Sequence, residues 1–535
     1  MKRVTRSIMA LGTGAAMGLA ALGASAADTP KSGGILNIVV PSNPPSYDAH
    51  QETTFGVIHP LAPVYSLLIR VDPDNPQSSD FVCDLCVGGV PAPTEDGTLY
   101  TFKIRQGVKF HDGTPLTSAD VKASWDKIIF PPEGVPSSRK AFYAMVDSIN
   151  APDAETVTFK LKYPSPAFLP ALGDPFAWIY SKKDLDEHGY SWHKTNVNGS
   201  GPFIFVSHEA GSSIEGKKNP NYYVEGRPYL DGYRAIIAPK MALRLQAIRA
   251  DQAAIEFRGF PPKARDDLVK ALGDKITVQE SDWNCGNMVV FNTKMPPFDD
   301  ARVRRALTLA IDRWGGSEYL SQIAIVKTVG GIVFPGHELA ATKEELQQIA
   351  GFWPDIKESR AEARRLLKEA GHENLKFDLH NRAVDQPYKI VGTWLIDQWK
   401  QIGVDVTQKA VPTAQWYDKY RKTRDFQVGL DANCQSVVNP TADIAKVLCG
   451  STNNYSQCED EEVVDLFNKM SKEGDMAKVR TMMRRYEKIV MDEQAYMGHA
   501  LWWYKINPHQ SYVKGWKIAP SHYLNQQLDN VWLDR

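Results

Sequence analysis

The sequence predicts an exported α/β protein built from more than one lobe. Three observations lead there. From about residue 290 onward, helical and strand patterns follow one another in turn, as they do in α/β layers. The chain has 535 residues, well past the roughly 250–300 at which a single core stops growing. Its first residues read as an export signal rather than as structure.

That signal has three parts. Lys2, Arg3 and Arg6 form a basic start, Ile8 to Gly23 carries no charge, and Ala24-Ser25-Ala26 supplies a small-x-small cleavage site. A membrane anchor fits less well, because the apolar run is rich in Gly and Ala and ends in that site. No cysteine stands near it to take a lipid. Residues 1–26 are therefore expected to be removed, leaving a chain that starts at Ala27, free in a periplasm. Removing 26 of 535 residues leaves 509, and the loss of three bases takes the formal charge from −1 to −4. No later stretch is long and apolar enough to span a bilayer. The charge is mild, and there is no basic patch of the kind nucleic acid requires.

Residues 34–40 form a short apolar run ending at Pro41, which suits a buried strand. Asp96-Gly97 is a turn signal, and Thr98 to Arg105 then alternates as a strand. After a second turn at Asp112-Gly113, Thr117 with Asp120 reads as a helix start, and Val121, Trp125 and Ile128 share one face. Asp299-Asp300 precede a helix over 301–311 with Val303, Leu307 and Ile311 as its apolar stripe. Ser359 with Glu362 reads as a capping box before 363–370, with Gly371 as the stop. A helix is expected over 386–402, followed by Gly403 and a strand over 404–411.

Six cysteines in an exported chain read as disulfides. Proximity suggests Cys83 with Cys86 and Cys449 with Cys458, which leaves Cys285 and Cys434. A redox role for Cys83-x-x-Cys86 is the alternative, but the pair lies among turn residues rather than opening a helix. Thirteen tryptophans hint at a pocket lined by flat side chains, although most are expected in the core.

Enzyme signatures are missing. There is no Gly-x-Ser-x-Gly elbow, and His337-Glu338 is not followed by the spacing of a zinc protease. Residues 211–217 approach a phosphate loop, but Lys218 replaces the Ser or Thr that would hold magnesium and Asn219-Pro220 blocks the helix, so the segment reads as a hairpin. The pairs His188/His193 and His372/His380 lack metal-ligand spacing. Asn198-Gly-Ser200 is a formal glycosylation sequon that means little behind a bacterial-type signal. No catalytic residue, metal or cofactor is expected.

Several segments occur in an order that resembles the family 5 extracellular solute-binding proteins, the dipeptide, oligopeptide and nickel binders of ABC importers. They are Gly33-Gly34 with Pro44-Pro45-Ser46-Tyr47-Asp48; Tyr100 to Gly113 with Pro115, Thr117 and Ala119-Asp120-Val121; Asn198-Gly-Ser-Gly-Pro202-Phe203 with Asn219-Pro-Asn-Tyr-Tyr223; Phe291-Asn292 with Pro297-Phe298 and Arg302 to Leu307; and Ile402-Gly403-Val404. The resemblance implies a periplasmic binding protein type II clamp with an extra inserted lobe. Lobe I would comprise 27–59, 199–284 and 504–535, the inserted lobe II 60–198, and lobe III 285–503. It further implies capture of a small organic solute by lobe closure, delivery to ABC permease subunits in the inner membrane, and a monomer. Competing readings are an exported enzyme and a sensory or chaperone-like binding protein.

The resemblance also supports a Cys285–Cys434 bridge, as in enteric oligopeptide binders. Peptide binders carry an Asp two residues after the second cysteine, which holds the peptide's ammonium; here that position is Ser436. Either another acid, with Asp431 or Asp443 nearest, takes its place, or the ligand has no amino terminus, such as an opine, a glycoside or a metal chelate. The residue before Cys434, usually Trp, is Asn433. By position, Trp283, Asn284, Arg382, Trp416, Arg424, Asn433 and Ser436 are the expected ligand-binding residues.

Overall fold

The computed structural model describes residues 29–76, 81–435, 444–451, 454–521 and 526–535. The export segment 1–26, Ser436 and Asp443 lie outside the described residues.

Three sheets organise the described chain. The first has five strands in the order Ile255–Glu256, Ile35–Val40, Gly232–Ile237, Ser213–Lys218, Phe203–Glu209. Ile35–Val40 runs parallel to both of its neighbours, and the last two strands form the hairpin expected around residue 211. The second sheet is an antiparallel set of Cys86–Val87, Leu99–Ile104, Thr156–Leu161 and Val146–Asp153. Helix Ser118–Ile129 packs on it through Val121, Trp125 and Ile128. Thr117 and Asp120 close both halves of its capping box, satisfying backbone donors that a helix start leaves open.

The third sheet has six strands in the order Val326–Thr328, Met497–Gln510, Ile276–Phe291, Val428–Cys434, Lys376–Arg382, Asp405–Val411. Its two longest strands do more than join their own sheet. Ile276–Phe291 and Met497–Gln510 pair antiparallel from Ile276↔Gln510 to Val290↔Met497, and the register breaks between Asp282 and Gly286 and again before Met288. On one side of the break they dock on the first sheet's surroundings: Phe260 N–H donates to Ile506 O (2.9 Å) and Gln510 N–H to Ala254 O (3.0 Å). On the other side they enter the six-stranded sheet. A broken register bends a ladder and increases its twist, and here the break separates the part of the pair that docks near the first sheet from the part inside the six-stranded sheet.

Three of the sequence motifs converge on one crossing. Gly201 N–H donates to Val64 O (2.9 Å), His111 N–H to Gly199 O (2.8 Å), and Asn219 Nδ2 to Gly201 O (3.0 Å). Added Cβ atoms at Gly199 and Gly201 would sit 2.0 Å from Val64 O and 2.6 Å from Val64 C. These glycines are there because backbone approaches backbone.

All three expected disulfides are present: Cys83–Cys86, Cys285–Cys434 and Cys449–Cys458. Cys285 and Cys434 stand directly opposite each other in their ladder. Two element boundaries need correction. The helix over Ile356–Glu369 begins a turn before Ser359, because Asp355 caps it by accepting from Lys357 and Glu358 N–H. Ser359 is buried inside the helix and donates to Leu309 O at 2.7 Å. The next helix runs over Ile390–Lys400 rather than from 386. Gln386 is extended, which the residue before a proline favours, and Pro387 offers no N–H.

The crossing at Gly199 and Gly201 generates a prediction. Gly199→Ala and Gly201→Ala should each destabilise the protein by about 1–3 kcal/mol or more through overpacking. Gly474→Ala, where a Cβ meets nothing within 4 Å, should be near neutral. Denaturant unfolding of the three variants checks the order.

Candidate functional site

A buried cluster of arginines and aromatic rings lies where the first and third sheets approach. Phe55 opens the helix Phe55–Leu61, whose N-cap is Thr54. Arg258 follows the short strand Ile255–Glu256, and Arg382 ends the strand Lys376–Arg382. Trp503 belongs to one of the two long strands. Tyr388 precedes the helix Ile390–Lys400.

The guanidinium of Arg258 stacks on Phe55 at 3.9 Å and lies 5.2 Å from the ring of Trp503 and 5.4 Å from Tyr388. Its Nε donates to Gln386 O at 2.6 Å. Nη1 and Nη2 make no hydrogen bond among the described residues, and the side chain is 1% exposed. Burial pulls this guanidinium down to about 9; Tyr388 opposes the shift, while Arg382 and Arg244 add to it. Glu256, the acid next in sequence but one, is engaged elsewhere. It accepts from Arg244 Nε at 2.9 Å, with both side chains fully buried, and from Gly259 N–H.

Arg382 reaches the same cluster from the other side. It stacks on Tyr388 at 4.1 Å, lies 5.3 Å from Phe55 and 5.5 Å from Tyr417, and donates to the Tyr388 hydroxyl. Asp431 is its ion-pair partner at 3.4 Å, both side chains being buried. Alternation along Val428–Cys434 explains that placement. Val428, Leu430 and Ala432 enter the large core, so Gly429, Asp431 and Asn433 face the other way. Gly429 leaves room for Trp416, whose ring would stand 3.1 Å from a Cβ there. Trp416 then donates its Nε1–H to Asp431 Oδ2 at 3.2 Å. Asp431 thus faces a buried guanidinium through Oδ1 and accepts from a buried indole through Oδ2.

Of the residues expected from sequence, Arg382 and Trp416 belong to this cluster. Trp283 meets Trp503 edge-on at 4.9 Å, which places it in the next shell of rings. Asn284 and Asn433 flank the Cys285–Cys434 bridge. Asn284 O accepts from Gln435 N–H at 2.8 Å. Asn284 Oδ1 and Asn433 Nδ2 are buried without a hydrogen-bond partner among the described residues. Leaving such groups unsatisfied costs about 1–3 kcal/mol each, so they are suited to a polar ligand.

Arg424 is not in the cluster. It lines a cavity of about 600 Å³ with Glu52, Pro132, Lys140 and Lys422, and stacks over Tyr455 at 5.2 Å. Its backbone is instead the structural part, accepting from Asn292 Nδ2 at 2.8 Å.

Sequence reasoning missed Arg258, Phe55, Tyr388, Tyr417 and Trp503. One signal was available: Arg258 stands alone with Glu256 in the otherwise apolar run 253–260. An isolated charge in such a run is a buried charge, and buried charges are paired or functional. Among the described residues, no group of three or more His, Cys, Asp or Glu side chains is arranged to hold a metal, and no helix is long and apolar enough to cross a membrane.

The architecture is that of the type II periplasmic peptide-binding proteins. The E. coli murein tripeptide binding protein superposes with a TM-score of 0.83 at 20% identity, over 94% of this chain and 98% of its own. A periplasmic binding protein of A. tumefaciens R10, solved with agropinic acid, gives 0.81 at 21% identity over 94% and 99%. The chain belongs to the bacterial extracellular solute-binding proteins, family 5, whose middle-region model matches residues 91–455. A glutathione-binding protein from Pectobacterium atrosepticum is 28% identical over 330 residues. That match spans 60% of each chain, less than two thirds of the curated relative's length.

The ion pair generates a prediction. Asp431→Asn removes the acid while keeping its shape, leaving Arg382 buried without its counter-charge. Breaking a buried pair in this way costs about 3–5 kcal/mol. Thermal unfolding should show a clearly lowered midpoint, whereas Lys376→Gln, which removes an exposed pair with Asp405, should leave it nearly unchanged.

Proposed function

We propose that this protein is the periplasmic substrate-binding component of an ABC importer. It captures a small organic solute, a peptide or peptide-like compound, and presents the closed form to permease subunits. It works as a monomer and does no covalent chemistry. Residues 1–26 direct export and are removed. Lobe I comprises 27–59, 199–284 and 504–535, lobe II is the insertion 60–198, and lobe III is 285–503. The two long strands are the hinge, because their register breaks at the proposed boundary.

One observation carries this reading. Buried polar and charged side chains from opposite sides, Arg258 with Phe55 and Arg382 with Asp431, meet in one cluster. Cleft sites between lobes are where small solutes are enclosed, and hinged closure is how such lobes move. The proposed ligand contacts are Trp283, Asn284, Arg382, Trp416, Asn433 and Ser436 from the sequence, together with Arg258, Phe55 and Tyr388. Arg424 is left at the mouth of the clamp.

A second reading concerns the ligand. Asp431 already neutralises Arg382 and accepts from Trp416, so it is poorly placed to hold a peptide ammonium as well. This favours a solute without a free amino terminus, such as an opine. Thermal unfolding separates the two. The protein is first freed of solute by unfolding and refolding with its disulfides intact, then heated with short peptides and with their N-acetylated forms. Saturation near one hundred times the dissociation constant stabilises by about 2.7 kcal/mol. A shift with free peptides only assigns a peptide ammonium to the site. A shift with the acetylated forms as well, or with agropinic acid instead, assigns a ligand that needs no amino terminus. Uptake that is unchanged when the gene is deleted would count against transport.

A further inference from the structure

We infer that the cavity behind the two long strands controls the clamp from the rear, so that Arg265, Glu280, Tyr504 and Lys327 set the affinity for solute without touching it. The inference rests on the capture reading and its hinge, and adds the residues that balance the open form against the closed one.

The place of this cavity follows from strand alternation. Trp503 faces the arginine cluster, and Trp283 meets it on that side. Tyr504 comes next in sequence and so faces the other way. Glu280 stands two positions along the ladder from Tyr504's partner Asp282, on the same rear face and within diagonal reach. A cavity of about 240 Å³ opens there. Arg265, from the helix Pro262–Leu272, lines one side of it. Ser321 and Gln322, from the helix Gly315–Ile323, and Lys327, from the strand Val326–Thr328, line the other. The first wall belongs to proposed lobe I and the second to proposed lobe III, with the hinge strands between them.

A chain of contacts crosses from wall to wall. Arg265 pairs with Glu280. The Tyr504 hydroxyl donates to Glu280 Oε2 at 3.2 Å. The ammonium of Lys327 stands 4.0 Å from the centre of the Tyr504 ring, a cation–π contact. Tyr504 N–H also donates to Ile325 O at 3.0 Å. One lobe is thus tied to the other through two residues of the hinge. Partly exposed contacts of this kind are weak one by one, which suits a balance between two forms of similar free energy.

A hinge makes front and rear move in opposite senses. When the lobes part about the strand pair, the cleft widens and the rear walls approach. When they close, the rear walls separate. Attraction across the rear cavity therefore favours the open form, and bulk placed inside it blocks opening. A solute that binds the closed form binds more weakly in proportion to how rarely that form is populated. Residues at the rear act on affinity through that fraction alone.

The test uses the full mature protein with its disulfides, freed of solute, and three variants. Ser321→Trp fills the cavity. Glu280→Ala cuts the chain of contacts. Tyr319→Trp is the control, on the same helix but 71% exposed and outside the cavity. Small-angle X-ray scattering of the solute-free proteins reads the lobes directly. The inference expects Ser321→Trp and Glu280→Ala to shrink the radius of gyration and the control to leave it unchanged. Titration calorimetry with the dipeptide Met-Leu, glutathione and agropinic acid reads affinity. Each probe that binds the parent protein should bind Ser321→Trp about three- to tenfold tighter and Glu280→Ala about twofold tighter. Tighter binding through residues that do not touch solute is a result that a merely structural role would not produce. If Ser321→Trp fails to fold, Gln322→Trp at the exposed rim of the same cavity takes its place. An unchanged or larger radius in either folded variant overturns the inference, and so does weaker binding of a probe. If no probe binds the parent, the scattering decides alone. The capture reading is judged apart, by native mass spectrometry of the protein as first purified: one small solute per chain sustains capture even where the rear variants change nothing.

Discussion

The antiparallel pairing of Ile276–Phe291 with Met497–Gln510 is the constraint on which the rest of the architecture depends. Each strand is held by the first sheet's surroundings at one end and by the six-stranded sheet at the other. Two strands hydrogen-bonded to each other resist twisting and sliding but bend readily where their ladder is broken. The ladder is broken between Asp282 and Met288, which is where the proposed hinge lies. It also brings Trp283, Asn284 and Trp503 to the base of the arginine cluster. The disulfide between Cys285 and Cys434 fixes the neighbouring strand to the same point.

Above that base, electrostatics decides what the site can do. Buried ion pairs elsewhere are closed accounts: Arg244 with Glu256, Lys127 with Asp48, and Arg70 with Asp529. The last two tie together segments distant in sequence. In the cluster of Arg258 and Arg382, Asp431 pairs with Arg382.

Much of the scaffold was legible in the sequence because it is written locally. Thr117 with Asp120 and Asp300 before Ala301 cap their helices as their spacing implies. The hairpin near residue 211 and the disulfides fall in place. Where local reading failed, a competing local rule had won: Asp355 pre-empted Ser359, and Pro387 delayed the helix expected from Gln386. The site was less legible. Arg382 and Trp416 stand out at a strand end and in an aromatic segment. Arg258 gains its meaning from Phe55, Tyr388 and Trp503, which are remote in sequence, and no periodicity announces such a meeting.

The central claim is that a solute is enclosed between two lobes that move about this strand pair. Small-angle X-ray scattering of the solute-free protein, with and without a solute that stabilises it against heat, addresses this most directly. The account predicts a smaller radius of gyration with solute than without it. An identical profile in both states would contradict it, since stabilisation without closure would place the ligand somewhere other than the cleft.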